Sequence, residues 1–176
     1  MALTVEDGTG LSTADALVLL SYCDTYHSDR GNSTWTGDDE AVKEPAIRRA
    51  SFFLSNSFDW MGFPLNARTQ ALAWPRSGVV DQYGYAIETS EIPKEVQQAC
   101  AEAALRELVT PGSLTPDYTA TERLESASVG PISVKYDMSR TDASAARTIM
   151  LIVRDLIGPF LAKGKGSRLS GETTRV

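Results

Sequence analysis

His27 is the only histidine in 176 residues, so any Ser/His/Asp or Cys/His machinery would have to run through it, and a multi-histidine metal site is excluded within one chain. Its neighbours Tyr26, Asp29 and Arg30 place it at an expected helix end, where a solvent-exposed or capping role outweighs catalysis. Cys23 and Cys100 lie among helix formers without CxxC spacing. No zinc knuckle or redox pair is written there, and two buried reduced thiols are expected. The adjacent acids Asp38 and Asp39 precede a helix and read as cap and dipole partners rather than an acid/base couple. Arg48, Arg49, Arg147 and Arg154 each have acidic residues nearby and read as solvated faces. GxGxxG, GxxxxGK[ST] and HExxH are absent. Neither an enzyme nor a cofactor is expected.

Composition agrees with a single cored domain. Hydrophobic residues make up 42% and charged residues 23%, near globular averages. No run approaches the length of a membrane span, and the first ten residues are acidic where a secretory signal is basic, so no membrane address is expected. The net charge of −6 is unevenly spread. Residues 1–60 carry ten acidic and four basic side chains, and residues 121–176 carry six and nine. An acidic chain is a poor grip for nucleic-acid phosphates.

The elements that must position these residues are mainly helical. Periodicity predicts four helices, near residues 13–28, 39–58, 93–109 and 141–158, packed as a compact bundle. The first stripe is Ala16, Leu19, Cys23 and Tyr26, and the second helix must accommodate Pro45 by restarting there or by leaving 39–44 as a separate turn. Residues 29–37 read as a loop around Trp35. Alternation in 129–137 predicts a small β-hairpin near Gly130 and Pro131. The expected core holds Leu19, Ala50, Leu54, Cys100, Ile149, Val153 and Leu156. Between the second and third helices, residues 59–91 form a long ordered aromatic loop, with extended pieces at Val79–Val80 and Tyr85–Ile87. Trp60, Gln70, Trp74, Pro75 and Arg76 are its architectural residues. Trp74 should pack on the helices while Arg76 reaches a carboxylate or backbone carbonyls. A domain of residues 1–161 is then followed by a flexible basic arm, 162–176, with Lys163, Lys165, Arg168 and Arg175 against one acid, Glu172.

An ordered set of motifs also carries a resemblance. SYCDTYHSDRGN at the first helix, Trp35 in a loop, an Asp-Trp-x-Gly turn at 59–62, QALAWPRSG at 70–78, Ile92-Pro93 opening a helix and VGPISVKYD at 129–137 span nearly the whole chain. This set resembles the small head-tail connector, or adaptor, proteins of tailed bacteriophages. Sequences of this look are also labelled DnaT-like single-strand DNA-binding proteins.

The connector resemblance implies a structural virion protein at the neck, assembled in the host cytoplasm. Such proteins form a ring of about twelve copies between the portal and a downstream neck or tail protein, with double-stranded DNA passing through unheld. It also implies a portal-docking arm, here Lys163, Lys165, Arg168, Leu169 and Arg175. The alternative is a single-stranded DNA-binding module. That label asks for aromatics interleaved with cations, whereas the segment holding Trp60, Phe63, Trp74, Tyr83 and Tyr85 offers only Arg68 and Arg76.

Overall fold

In a computed structural model of the chain, residues 2–115, 126–129, 132–135 and 150–162 are described. Their elements follow the order α1 (Leu20–Ser28), α2 (Ser33–Thr36), α3 (Glu40–Ser57), β1 (Phe63–Pro64), β2 (Arg76–Ser77), α4 (Lys94–Val109), β3 (Ser126–Val129), β4 (Ile132–Lys135) and α5 (Leu151–Ile157). The protein is mainly α, with a small antiparallel hairpin, β3–β4, in which Val129 faces Ile132 and Ser126 faces Lys135.

The core is built on α3 and α4. Ala46, Ile47, Ala50, Phe53 and Leu54 form the buried stripe of α3. On α4, Val96, Ala99, Cys100, Ala101, Ala103 and Ala104 are buried, and these small side chains let other helices approach closely. α4 packs chiefly against α3 and α5 and also touches α1 and α2. Pro45 does not break α3, which runs through it from Glu40; near the helix start it forfeits a single ladder bond. Trp35, expected in a loop, lies on the short helix α2 and is fully buried.

The first helix is shorter than its stripe predicts, starting at Leu20 rather than near residue 13. The backbone before it is claimed by tertiary pairing. The N–H groups of Asp15 and Ala16 donate to the Thr4 carbonyl at 2.8 and 3.3 Å, and that of Leu17 to the Ser51 hydroxyl at 3.0 Å. Ala14, Ala16, Leu17 and Val18 are all buried, which an amphipathic helix with one wet side would not permit. Leu19, expected in the core, is exposed as the extended residue preceding α1. Ala50, Leu54, Cys100 and Val153 are in the core, and Leu156 packs partly buried against it. Met150 is extended and α5 opens at Leu151, so the predicted 141–158 helix does not run unbroken; its first nine residues, with Ile149, lie outside the described residues.

His27 corrects the sequence reading most directly. It is fully buried, its ring tilted 38° against that of Trp35 with centroids 4.7 Å apart, and not a solvated helix end. Its Nε2 lies 3.0 Å from the Ala101 carbonyl and its Nδ1 2.9 Å from the Asn32 amide nitrogen. A carbonyl can only accept and an amide nitrogen only donate, so the neutral ring carries its proton on Nε2. Burial pushes its pKa below the ordinary 6.5, with the Ala101 bond opposing the shift in part. Below pH 6.5 the unfolded chain therefore binds a proton that the fold resists. Stability is expected to be full above that pH and to fall on acidification, with His27→Gln showing a shallower loss; urea midpoints at pH 7 and pH 5 test this. An equal acid loss in both proteins would assign the effect to other groups.

Candidate functional site

The long segment after α3 is built on a buried charge. Arg76, in β2, is almost completely buried, and its guanidinium donates to four carbonyls: Nε to Met61 at 2.8 Å, Nη1 to Ala73 at 3.0 Å, and Nη2 to Gly62 at 2.8 Å and Trp60 at 3.4 Å. The partners are carbonyls, with no carboxylate in salt-bridge range among the described residues. Burial pushes the Arg76 pKa below its ordinary value. One fork thus ties the turn 60–62 to the 73–76 turn. Gly62, at φ +68°, holds its place because a side chain there would run into the Ser77 carbonyl.

Gln70 supports the same turn. Its amide nitrogen donates to the carbonyls of Leu72 at 2.8 Å and Pro75 at 3.0 Å, while its oxygen accepts from the Asn66 N–H at 3.3 Å. The Trp74–Pro75 peptide bond is cis. Trp74 lies edge-on between Trp60 and Phe160, at centroid separations of 5.5 and 6.0 Å. The Trp60 indole donates to the Leu54 carbonyl at 3.0 Å, anchoring the cluster to the end of α3. The Trp74 Nε1 is buried with no hydrogen-bond partner among the described residues. The fold therefore brings Trp60, Gln70, Trp74, Pro75 and Arg76 together. The arm residues Lys163, Lys165, Arg168, Leu169 and Arg175 lie outside the described residues.

The same segment is paired into an irregular ribbon. Phe63 pairs with Ser77 and Pro64 with Arg76; farther along, Val80 bridges Ala86 and the Ile87 N–H donates to the Val79 carbonyl at 3.0 Å. The predicted extended pieces at 79–80 and 85–87 are thus paired with each other. Asp81 shapes the tip, its Oδ1 accepting from the N–H groups of Tyr83 at 2.8 Å and Tyr85 at 2.9 Å. Tyr83 and Tyr85 are 76% and 73% exposed and Phe63 75%, so three aromatics on a hydrogen-bonded scaffold face water. Arg68, on the 3-10 turn Ala67–Thr69 beside β1, is also exposed.

Other charged groups serve the fold. The Glu6 carboxylate accepts from the N–H groups of Gly8, Gly10 and Leu11, and buried Glu107 accepts from Gly112 and Leu114 and from Arg49 at 3.0 Å. The backbone partners lie two to five residues beyond Glu6 and five and seven beyond Glu107, in turns that helical periodicity does not mark. Arg48 meets Asp15 at 2.7 Å, so it and Arg49 are paired rather than simply solvated. Both line a hollow of about 660 Å³ with Phe52, Leu72 and Leu114. Asp39 precedes α3 without a side-chain cap bond. Cys23 and Cys100 are buried free thiols, their pKa values pushed up by burial, that of Cys100 to about 12.

Compared with family models, the chain matches over residues 1–176 the family described as "Putative DnaT-like ssDNA binding protein". The chain belongs to this DnaT-like family. Comparison with curated proteins and with solved structures gave no match. The expected kinship with head-tail connectors has no counterpart in these comparisons; the match carries the other label borne by the resemblance. In this DnaT-like chain, residues 2–115 and 150–162 hold seventeen acidic and nine basic side chains. Among the described residues there is no cluster of three or more His, Cys, Asp or Glu able to hold a metal ion. Among the described residues no helix is long and apolar enough to cross a membrane.

Proposed function

We propose that this chain binds single-stranded DNA without sequence preference and without catalysis. The observation that carries this is the match of all 176 residues to a DnaT-like family whose description names that ligand. The ribbon supports it, since Phe63, Tyr83 and Tyr85 offer exposed ring faces on which unpaired bases can stack, with Arg68 nearby. The candidates for catalysis serve packing instead: His27 is neutral in the core and both thiols are sealed from solvent. Because the body is acidic, affinity should be modest, and it should weaken as salt rises to the extent that cations contact phosphate. Anisotropy of a labelled oligothymidylate at low and moderate salt tests the proposal, with saturable binding at low salt and weaker binding to a matched duplex expected. Failure to bind at low salt would overturn it.

The acid excess of the body favours a second reading, the head-to-tail adaptor. A ring lining a DNA conduit should not hold its cargo, and an acidic surface repels phosphate. On this reading the chain is a virion neck protein meeting the portal on one side and a neck or tail protein on the other. Electron microscopy of the purified chain, alone and with portal, separates the two: rings or decorated portals support the adaptor, and their absence with single-strand binding supports the first reading.

A further inference from the structure

Phe52 and Phe53 are adjacent in sequence but differ in burial: Phe53 is 6% exposed and packs in the core, whereas Phe52 is 63% exposed. Phe52 follows Arg48 by four residues and Arg49 by three along α3, spacings that make the three side chains neighbours on a helix surface. All three line the hollow of about 660 Å³, a volume in the range of small-ligand sites. Its other walls come from distant segments: Asp15 before α1, Leu72 in the loop after α3, and Gly112 and Leu114 after α4. Each wall is tied down. The Asp15 N–H donates to the Thr4 carbonyl at 2.8 Å, and the Gln70 amide nitrogen donates to the Leu72 carbonyl at 2.8 Å. The Glu107 carboxylate accepts from the N–H groups of Gly112 at 2.6 Å and Leu114 at 3.5 Å. The hollow is therefore preformed.

We propose that this hollow seats one unpaired nucleotide of a single-stranded DNA, its base stacked on Phe52 and its phosphate met by Arg49. This deepens the proposed function and rests on it. Three observations support it. The charged lining residues Asp15, Arg48, Arg49 and Glu107 sum to zero, whereas residues 2–115 and 150–162 as a whole are strongly acidic, so a phosphate meets less repulsion there than over the rest of the body. Arg48 is engaged by Asp15 at 2.7 Å and Glu44 at 3.9 Å, but Arg49 meets Glu107 through Nη1 at 3.0 Å while 59% of its side chain stays exposed. A guanidinium has five N–H donors, so the Glu107 bond orients the fork and leaves donors for a phosphate. Finally, the exposed Phe52 ring shares the lining with Leu72 and Leu114, giving a base an apolar place to stack. Such a seat selects single strands, because a base stacked within a duplex has no free face to offer.

The test uses the full chain and its Phe52→Ala, Phe52→Tyr, Phe52→Trp and Arg49→Gln variants, each titrated across salt with a labelled oligothymidylate of about sixteen nucleotides. Both side chains are largely exposed, so the variants should fold. Thermal melts check this, and Arg49→Lys keeps a cation beside Glu107 as a control. Phe52→Ala is expected to weaken single-strand binding at least about fivefold at an unchanged salt slope, and Phe52→Tyr to retain it. Arg49→Gln should lower the magnitude of the log–log salt slope by about 0.7, the share of one phosphate contact to a single strand, and Arg49→Lys should keep the slope. Trp35, Trp60 and Trp74 are buried, so Phe52→Trp adds an exposed indole whose emission a stacked base should quench in step with binding. If the full chain fails to bind single strands at low salt, the proposed function itself falls. If it binds, but Phe52→Ala keeps the parental affinity, Arg49→Gln keeps the parental slope, or the Phe52→Trp emission is unchanged at saturation, the hollow is not the seat while single-strand binding stands.

Discussion

Replacing Arg76 with methionine is expected to lower the free energy of unfolding by about 3–5 kcal/mol. Methionine fills much of the same volume but leaves the carbonyls of Met61, Gly62, Ala73 and Trp60 without their donor. A buried carbonyl that loses its partner costs about 1–3 kcal/mol, and only some of these four can turn to water. Arg76→Lys should be nearly as damaging, because an ammonium is a point donor and cannot reach carbonyls spread around a planar fork. For a chain of this length each kcal/mol lowers the melting temperature by about 2–4 °C, so a fall of about 10 °C is expected for methionine. Denaturant titration of the parent and both variants checks the ranking. A methionine variant within about 1 kcal/mol of the parent would show that the guanidinium is not what holds the two turns together.

Trp74→Ala is expected to cost about 3–5 kcal/mol, since it empties a fully buried site between Trp60 and Phe160 that the backbone around it cannot easily collapse to fill. The more discriminating comparison is with phenylalanine. Trp74→Phe forfeits ring area but no hydrogen bond made within the described residues, because its Nε1 has no partner there. Trp60→Phe forfeits similar area and also leaves the Leu54 carbonyl without its 3.0 Å donor. Trp60→Phe should therefore be the more destabilising by about 1 kcal/mol. Equal losses, or the reverse order, would mean that the Trp74 indole N–H is satisfied after all.

These variants also separate stability from binding. Arg76 and Trp74 are buried and Tyr83 and Tyr85 exposed, so changes at the first pair should act through folding and changes at the second through contact with a ligand.

Helix type and approximate extent were legible wherever one apolar stripe met one wet face. The α3 stripe of Ala46, Ala50, Phe53 and Leu54, and the α4 start at Pro93, follow from 3.6-residue periodicity and φ-restricted proline, which act locally. The alternation that announced the β3–β4 hairpin is likewise local. Glycines, prolines and aromatics also marked 59–91 as an ordered loop, because those residue types constrain the backbone and demand burial whatever surrounds them. Other features were settled only when distant segments met. Residues 14–18 left the helix because Thr4 and Ser51 took their N–H groups, and His27 became core because Asn32 and Ala101 closed over it. Arg76 found four carbonyls instead of a carboxylate because the 60–62 turn folds onto it. The same loop's aromatics divide into buried Trp60 and Trp74 and exposed Phe63, Tyr83 and Tyr85, a division that composition cannot make. Nor can sequence distance place Ala162 beside Asp59, since a backbone hydrogen bond between residues 103 positions apart has no local signature; it exists because the core that forms between them holds both ends in reach.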